Sequence, residues 1–163
     1  MKKIVIFGNS GAGKSTLAKF LAIQNKLSYL DLDTIAWEKD NPTSRKDLNE
    51  SKLEINDFIL KNEYWVVEGC YTSLLSIVAK ECNELIFLNP GVEACVAHCK
   101  SRPWEPHKYS SPEAQNKNLE MLIDWVREYP ERKDEFSLKA HQELFDSFNG
   151  VKVEKTKNYG NTE

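Results

Sequence analysis

Arginine is scarce in this chain: only four of its 22 basic residues are Arg45, Arg102, Arg127 and Arg132, set against 25 acidic residues and a formal net charge of -3. With no surplus of positive charge, affinity for nucleic acid through phosphate neutralisation is not expected. Long apolar runs are also missing. Nothing approaches the roughly 20 consecutive apolar residues that span a bilayer. After Met1-Lys2-Lys3 only Ile4-Val5-Ile6-Phe7 precede Gly8, too few for the about 7–15 apolar residues of a secretory leader. A cytoplasmic protein with no targeting segment is the expectation. The four cysteines, Cys70, Cys82, Cys95 and Cys99, are too few and too irregular for a disulfide framework, so reduced thiols are expected. Cys95 and Cys99 stand at i and i+4 of a helical stretch around His98, but no second ligand pair is spaced to close a tetrahedron. Buried apolar cysteine is therefore the better reading and metal binding the lesser one.

What is present is an alternation of short apolar runs and helical periodicities in 163 residues, 40% of them hydrophobic. That suits one domain, residues 1–163, with a core needing no covalent staples. Lys3 to Phe7 is a β-branched run halted at Gly8, as in a buried parallel strand. Leu17, Phe20 and Leu21 then recur at helical spacing between about Gly13 and Asn25. Leu27 to Leu30 reads as a second strand, Tyr64 to Val67 as a third, and Glu84 to Leu88 as a fourth. Asn41-Pro42-Thr43-Ser44 leads into a long helix, capped by Thr43 or Ser44, with Leu48, Ile55 and Ile59 as its apolar stripe. From Lys100 to Ser111 the chain is polar and broken by Pro103 and Pro106, with Pro112 just beyond; this reads as an exposed loop long enough to act as a lid. Ser110-Ser111-Pro112-Glu113 opens a helix to about Tyr129, Ser137 opens another that ends at Asn149-Gly150, and Val151 to Val153 forms the last strand. Strands alternating with helices imply an α/β fold, a parallel sheet covered on both faces.

Gly8-Asn9-Ser10-Gly11-Ala12-Gly13-Lys14-Ser15-Thr16 holds the pattern G-x-x-x-x-G-K-[S/T] between a strand and a helix. Glycines let the backbone curl round an anion, and the helix start turns its N–H groups and partial positive charge toward it. In that arrangement Lys14 reaches the β- and γ-phosphates of a nucleotide and the Ser15 hydroxyl ligates Mg²⁺. ATP is preferred to GTP, since no Asn-Lys-x-Asp occurs, although Asn25-Lys26 and Asn116-Lys117 each begin one.

Asp31-Leu32-Asp33 follows the second strand and emerges at the C-terminal edge of the sheet, where ligands of such sheets bind. Asp31, nearer the phosphate loop, suits the Mg²⁺ shell; Asp33, further out, suits an acceptor hydroxyl, whose proton it can take. Solvated turn aspartates are the alternative. Glu68-Gly69 ends the third strand, placing an acid by the nucleotide or substrate, or simply at a strand end. Arginine stabilises a phosphoryl group in transfer better than lysine does. Arg102 and Arg132 are thus catalytic candidates, and Arg45 a contact for an anionic group of the substrate, each with a plain surface charge as alternative. His98, His107 and His141 have no partner at catalytic spacing and are read as surface or lid residues.

The run Gly8 to Thr16, Asp31-Leu32-Asp33, Glu68-Gly69 and a lid ahead of an arginine-bearing helix together resemble the small P-loop kinases related to adenylate and shikimate kinases. Tyr29 to Asp33 with Trp37, and Trp65-Val66-Val67-Glu68-Gly69-Cys70-Tyr71, are most similar to the adenylate-kinase-like bacterial proteins labelled DNA topology modulation-related. The resemblance implies a three-layer P-loop NTPase fold with a five-stranded parallel sheet in the order 2-3-1-4-5. It further implies a substrate-binding helical segment, here residues 34–63, and a lid, here residues 100–111. This chain departs from adenylate kinases in having Glu68 for Asp and no Gly-Phe-Pro-Arg after it, and from shikimate kinases in lacking a glycine-rich acceptor loop.

Three readings follow. The first is a phosphotransferase moving the γ-phosphate of Mg·ATP to a small-molecule or nucleotide acceptor. The second is a nucleotide-dependent regulatory protein with slow ATPase activity, because a phosphate loop reports binding and not transfer. The third, action on nucleic acid, finds no support in the charge balance.

Overall fold

A computed structural model of the chain describes residues 2–41 and 43–157. Met1, Pro42 and residues 158–163, which the expected domain 1–163 and the Asn41 to Ser44 helix entry include in part, lie outside the described residues. Five strands, β1 (Lys3–Gly8), β2 (Ser28–Asp31), β3 (Trp65–Gly69), β4 (Glu84–Leu88) and β5 (Val151–Lys155), form one sheet. Its order is β2-β3-β1-β4-β5, and every pairing is parallel. The fold is α/β, as the alternation of runs implied.

Seven helices connect the strands among the described residues: α1 (Lys14–Asn25), α2 (Asp33–Ala36), α3 (Leu48–Lys61), α4 (Thr72–Ala79), α5 (Val92–Ser101), α6 (Pro112–Arg127) and α7 (Leu138–Ser147). They divide between the two faces of the sheet because successive strand side chains point to opposite sides. Val5 and Phe7 of β1 join Trp65 and Val67 of β3 in a core closed by α3, α4 and α7. Ile4 and Ile6 join Val66 and Ile86 in a second core closed by α1, α5 and α6. No helix among the described residues is long and apolar enough to cross a membrane.

Several local expectations need correcting. α3 is capped by Asp47, whose carboxylate accepts from the Asn49 N–H at 2.9 Å; neither Thr43 nor Ser44 caps it. The chain folds back first, with Glu38 N–H donating to the Ser44 carbonyl and Trp37 bridging Arg45, which delays the helix by one loop. Leu48 and Phe20 are exposed. On α1 the inward face is carried by Leu17, Ala18, Leu21 and Ala22, one and four residues apart, and Phe20 falls outside it. Lys100 and Ser101 belong to α5, so the irregular stretch begins at Arg102. α2 and α4 have no counterpart in the sequence reading, although Leu74, Leu75 and Val78 at helical spacing carried the signal for α4. His141 is fully buried, bound by the Tyr129 hydroxyl at 2.7 Å and the Cys70 carbonyl at 2.9 Å. It is a core residue and not a surface one, and burial pushes its pKa down to about 4.

Replacing Asp47 by Ala should lower unfolding free energy by about 1 kcal/mol, while Thr43→Ala and Ser44→Ala change it by less than about 0.5 kcal/mol. Urea unfolding of the three variants checks this; equal losses would return the cap to the earlier positions.

Candidate functional site

The phosphate-loop residues sit where β1, in the middle of the sheet, hands over to α1. Gly11 and Gly13 have φ of 79° and 93°, the left-handed region that side chains avoid. A Cβ on Gly11 would stand 2.4 Å from the Cys95 carbonyl oxygen and 2.8 Å from Cys99 Sγ. The loop is pressed flat against α5, and Cys95 and Cys99 are small buried apolar groups at that contact. All four cysteines are free, and among the described residues no group of three or more His, Cys, Asp or Glu is arranged to hold a metal. His98 faces the loop as well, its Nδ1 3.0 Å from the Gly11 carbonyl oxygen, so it is a loop-supporting residue and not a surface one. Asn9 is buried and donates through Nδ2 to the Val126 carbonyl at 3.2 Å.

Gly13 is the N-cap of α1 and supplies no side-chain acceptor. The N–H groups of the first helical turn have no partner within the helix, so they stand ready for an anion. Lys14 Nζ donates to the Asn9 carbonyl at 2.7 Å and Ser15 Oγ to Glu68 Oε1 at 2.9 Å. Thr16 is exposed on the same turn, while Gly8 and Ala12 are buried beneath the loop. An uncapped helix start, a lysine and a hydroxyl beside a carboxylate form a donor set that fits a nucleotide's phosphates with Mg²⁺.

Register brings the acids to the same edge. Asp31 of β2 pairs with Glu68 of β3, and Glu68 with Ile6 of β1. Glu68 is 2% exposed and accepts from both Ser15 and the Tyr29 hydroxyl, each at 2.9 Å. Burial, reinforced by the charge of Asp31, pushes its pKa up to about 7. Asp31 turns one oxygen back to the Asp33 N–H at 2.9 Å, an Asx turn that starts α2; burial and the Asp33 charge raise its pKa. Gly69 has no room for a Cβ, which would lie 2.9 Å from Leu32 Cβ, so it lets Leu32 bury between Asp31 and Asp33.

Asp33 opens α2 and is the best-partnered of the three acids. Its Oδ1 accepts from the Tyr71 hydroxyl, which in turn accepts from Trp37 Nε1 at 2.9 Å. Its Oδ2 lies 3.3 Å from Lys108 Nζ. Burial alone would raise its pKa, but the Lys108 charge, the Tyr71 hydroxyl and the Lys14 charge outweigh it and hold the carboxyl below its ordinary value. A cavity of about 180 Å³ is lined by Ser10, Lys14 and Ser15 of the loop and helix start together with Asp33, Glu68, Gly69, Tyr71 and Trp125.

Neither the four arginines nor Lys108 line this cavity, though Lys108 touches Asp33, which does. Arg45 lies 4.8 Å over Tyr71, between Trp37 and Phe136, and 3.5 Å from Glu135. Arg132 lies 4.3 Å over Trp125, with Nε 3.0 Å from Asp134. Arg102 is 3.7 Å from Glu105 and faces a separate small cavity with Tyr109 and Leu119. Arg45 and Arg132 thus brace the two aromatic walls from behind. Sequence reasoning missed Tyr71, Trp125, Tyr29 and Lys108. Tyr71, two residues past Gly69, carries a signal by its position after β3, whereas Lys108 meets Asp33 only through a contact 75 residues away in sequence.

No family model matches the chain, and no curated protein sequence does. Solved structures do. A shikimate kinase from Bacteroides thetaiotaomicron superposes with a TM-score of 0.56 at 13% identity, covering 97% of this chain and 89% of that one. A gluconokinase from Sinorhizobium meliloti gives 0.54 at 15% identity over 96% and 83%. An unliganded sugar kinase from Janibacter gives 0.51 at 10% identity over 94% and 85%. The chain therefore has the small P-loop kinase fold in the strand order expected of it. None of these matches bears on the resemblance to DNA topology modulation-related proteins.

The raised pKa of Glu68 makes a stability prediction. The folded chain holds a proton that the unfolded chain releases above about pH 4.5, so stability falls as pH rises from there through about 7. Glu68→Gln keeps the shape without the charge. Its stability relative to the unmodified chain should improve from pH 5 to pH 8 in urea unfolding; a difference equal at both pH values would mean that Glu68 titrates normally.

Proposed function

We propose that this chain is a small-molecule kinase, transferring the γ-phosphate of Mg·ATP to a hydroxyl of a small-molecule or nucleotide acceptor. The observation that carries the reading is that Lys14, Ser15 and Asp33 line one cavity. The kinase fold of the structural neighbours supports it, without naming an acceptor.

In this reading the backbone of Gly8, Asn9, Ser10, Gly11, Ala12, Gly13, Lys14, Ser15 and Thr16 holds the phosphates, with the Lys14 ammonium on the β- and γ-groups. Ser15 and Asp31 would hold Mg²⁺, which would supply charge neutralisation at the phosphates. Asp33, ionised and aimed by Tyr71 and Lys108, accepts the proton of the acceptor hydroxyl as its oxygen bonds to the γ-phosphorus and the bond to the bridging oxygen of ADP breaks. Glu68 and Gly69 close the floor of the acceptor site. Arg45 and Arg132 act on the substrate through Tyr71 and Trp125, the walls they brace, and residues 34–63 form the acceptor side. Residues 100–111, with Arg102, form a lid that excludes water once nucleotide is bound.

Lys14→Ala should cut Mg·ATP turnover by at least about 10²-fold with little change in melting temperature; turnover at the unmodified rate would remove the phosphate-loop reading. Screening hydroxyl compounds for stimulated ATP consumption identifies the acceptor. With one in hand, Asp33→Asn should slow single-turnover transfer by about 10²–10⁴-fold with nucleotide affinity kept. Asp31→Asn should instead shift the Mg²⁺ dependence to higher concentration. Equal shifts of metal dependence in both variants would show the two roles wrongly divided.

A further inference from the structure

We infer that Lys108, and not any of the four arginines, is the lid residue that contacts the transferred phosphoryl group; this rests on the kinase reading of the same cavity. Lys108 sits in the irregular stretch between α5 and α6. Its ammonium reaches across to Asp33 Oδ2 at 3.3 Å and otherwise only approaches Glu105 at 4.0 Å. Lys14, from the start of α1, lines the cavity shared with Asp33, and Asp33 feels both positive charges. A phosphoryl group travelling from the phosphate loop to a hydroxyl held by Asp33 therefore leaves Lys14 and arrives beside the carboxylate that Lys108 contacts from outside the cavity lining.

The arginines are committed elsewhere. Arg45 is enclosed by three aromatic rings and paired with Glu135. Arg132 lies on Trp125 and forks onto Asp134 through Nε and Nη2, its buried Nη1 having no hydrogen bond and only Glu128 at 3.7 Å. Arg102 faces Glu105 away from the cavity, and Arg127 is on the surface against Glu93. Freeing a guanidinium stacked on rings gives up cation–π and packing contacts together. The Lys108 to Asp33 pair is half-exposed, its side chains 31% and 41% accessible, and such a pair is weak. Lysine is also a point charge on a flexible four-carbon stem, able to exchange one anionic oxygen for another without matching a fork geometry.

The exchange follows from the chemistry at Asp33. When an acceptor hydroxyl takes its place at that carboxylate, it competes with Lys108 for the same oxygens. The acceptor oxygen bonds to the γ-phosphorus, the electron pair of the bond being broken leaves on ADP, and the hydroxyl proton passes to Asp33. Lys108 stays protonated throughout. The ammonium that the hydroxyl displaces from Asp33 is left beside the anionic phosphoryl oxygens, so Lys108 moves onto them.

Binding of Mg·ADP with and without aluminium fluoride, a mimic of the phosphoryl group in flight, tests this without a known acceptor. Titration calorimetry is run on the unmodified chain, Lys108→Ala and Lys108→Arg. The unmodified chain should gain affinity from the fluoride. Lys108→Ala should lose at least about 10-fold of that gain while keeping its Mg·ADP affinity and melting temperature, and Lys108→Arg should recover part of it. A full fluoride gain in Lys108→Ala, a matching loss of plain Mg·ADP affinity, or no gain in the unmodified chain overturns the role of Lys108 and leaves the kinase reading standing. Failure of the unmodified chain to bind Mg·ADP at all overturns the kinase reading, and this role with it.

Discussion

A helix start that is to receive an anion must be left uncapped, yet the strand leading to it must be buried on both faces. The chain meets both demands by running β1 between β3 and β4 and ending it in a turn whose positive-φ glycines carry no side chain. α5 then supports the turn from below, with Cys95 and Cys99 in contact and the His98 ring against a loop carbonyl. The remainder of the site is arranged round that bare helix end. Glu68 receives the first-turn hydroxyl of Ser15, Asn9 ties the loop to the end of α6, and the parallel register delivers Asp31 beside Glu68.

Three carboxylates converge there in very different states. Glu68 is dry and inclined to keep its proton, Asp31 is partly engaged in a turn, and Asp33 is held ionised by a lysine, a tyrosine and the more distant Lys14. Environments that push neighbouring acids apart in this way separate a base from groups that hold structure or metal. The hydrogen-bonded series Trp37, Tyr71, Asp33 also links the cavity lining to the segment that carries Arg45.

Legibility from sequence tracked the range of the interactions. β1, β3 and β4 were readable because each is a continuous apolar run on a short stretch of chain, buried on both faces. The turn from β1 into α1 was readable because Gly8, Gly11 and Gly13 stand together between an apolar run and a helical periodicity. The strand order came from family resemblance, since parallel pairing joins segments with no local signature of their neighbour. Cap positions failed where a tertiary fold-back, Trp37 against Arg45, delayed the helix to Asp47. His141 failed because its two partners, Tyr129 and the Cys70 carbonyl, were invisible in its own stretch of chain. Tyr71 and Lys108 reach Asp33 across 38 and 75 positions of sequence, and no pattern local to either announces that contact.

Lys14 in the cleft and Lys108 beside it are both already engaged, Lys14 with a loop carbonyl and Lys108 with the Asp33 carboxylate. Their positive charge is set among Asp31, Asp33 and Glu68, on a chain that is itself net negative. In the kinase reading a polyanionic ligand would therefore gain little from long-range attraction at the mouth of the cleft. Capture would then rest on short-range exchange of partners after contact, with an encounter rate weakly dependent on ionic strength and discrimination left to the rate of escape.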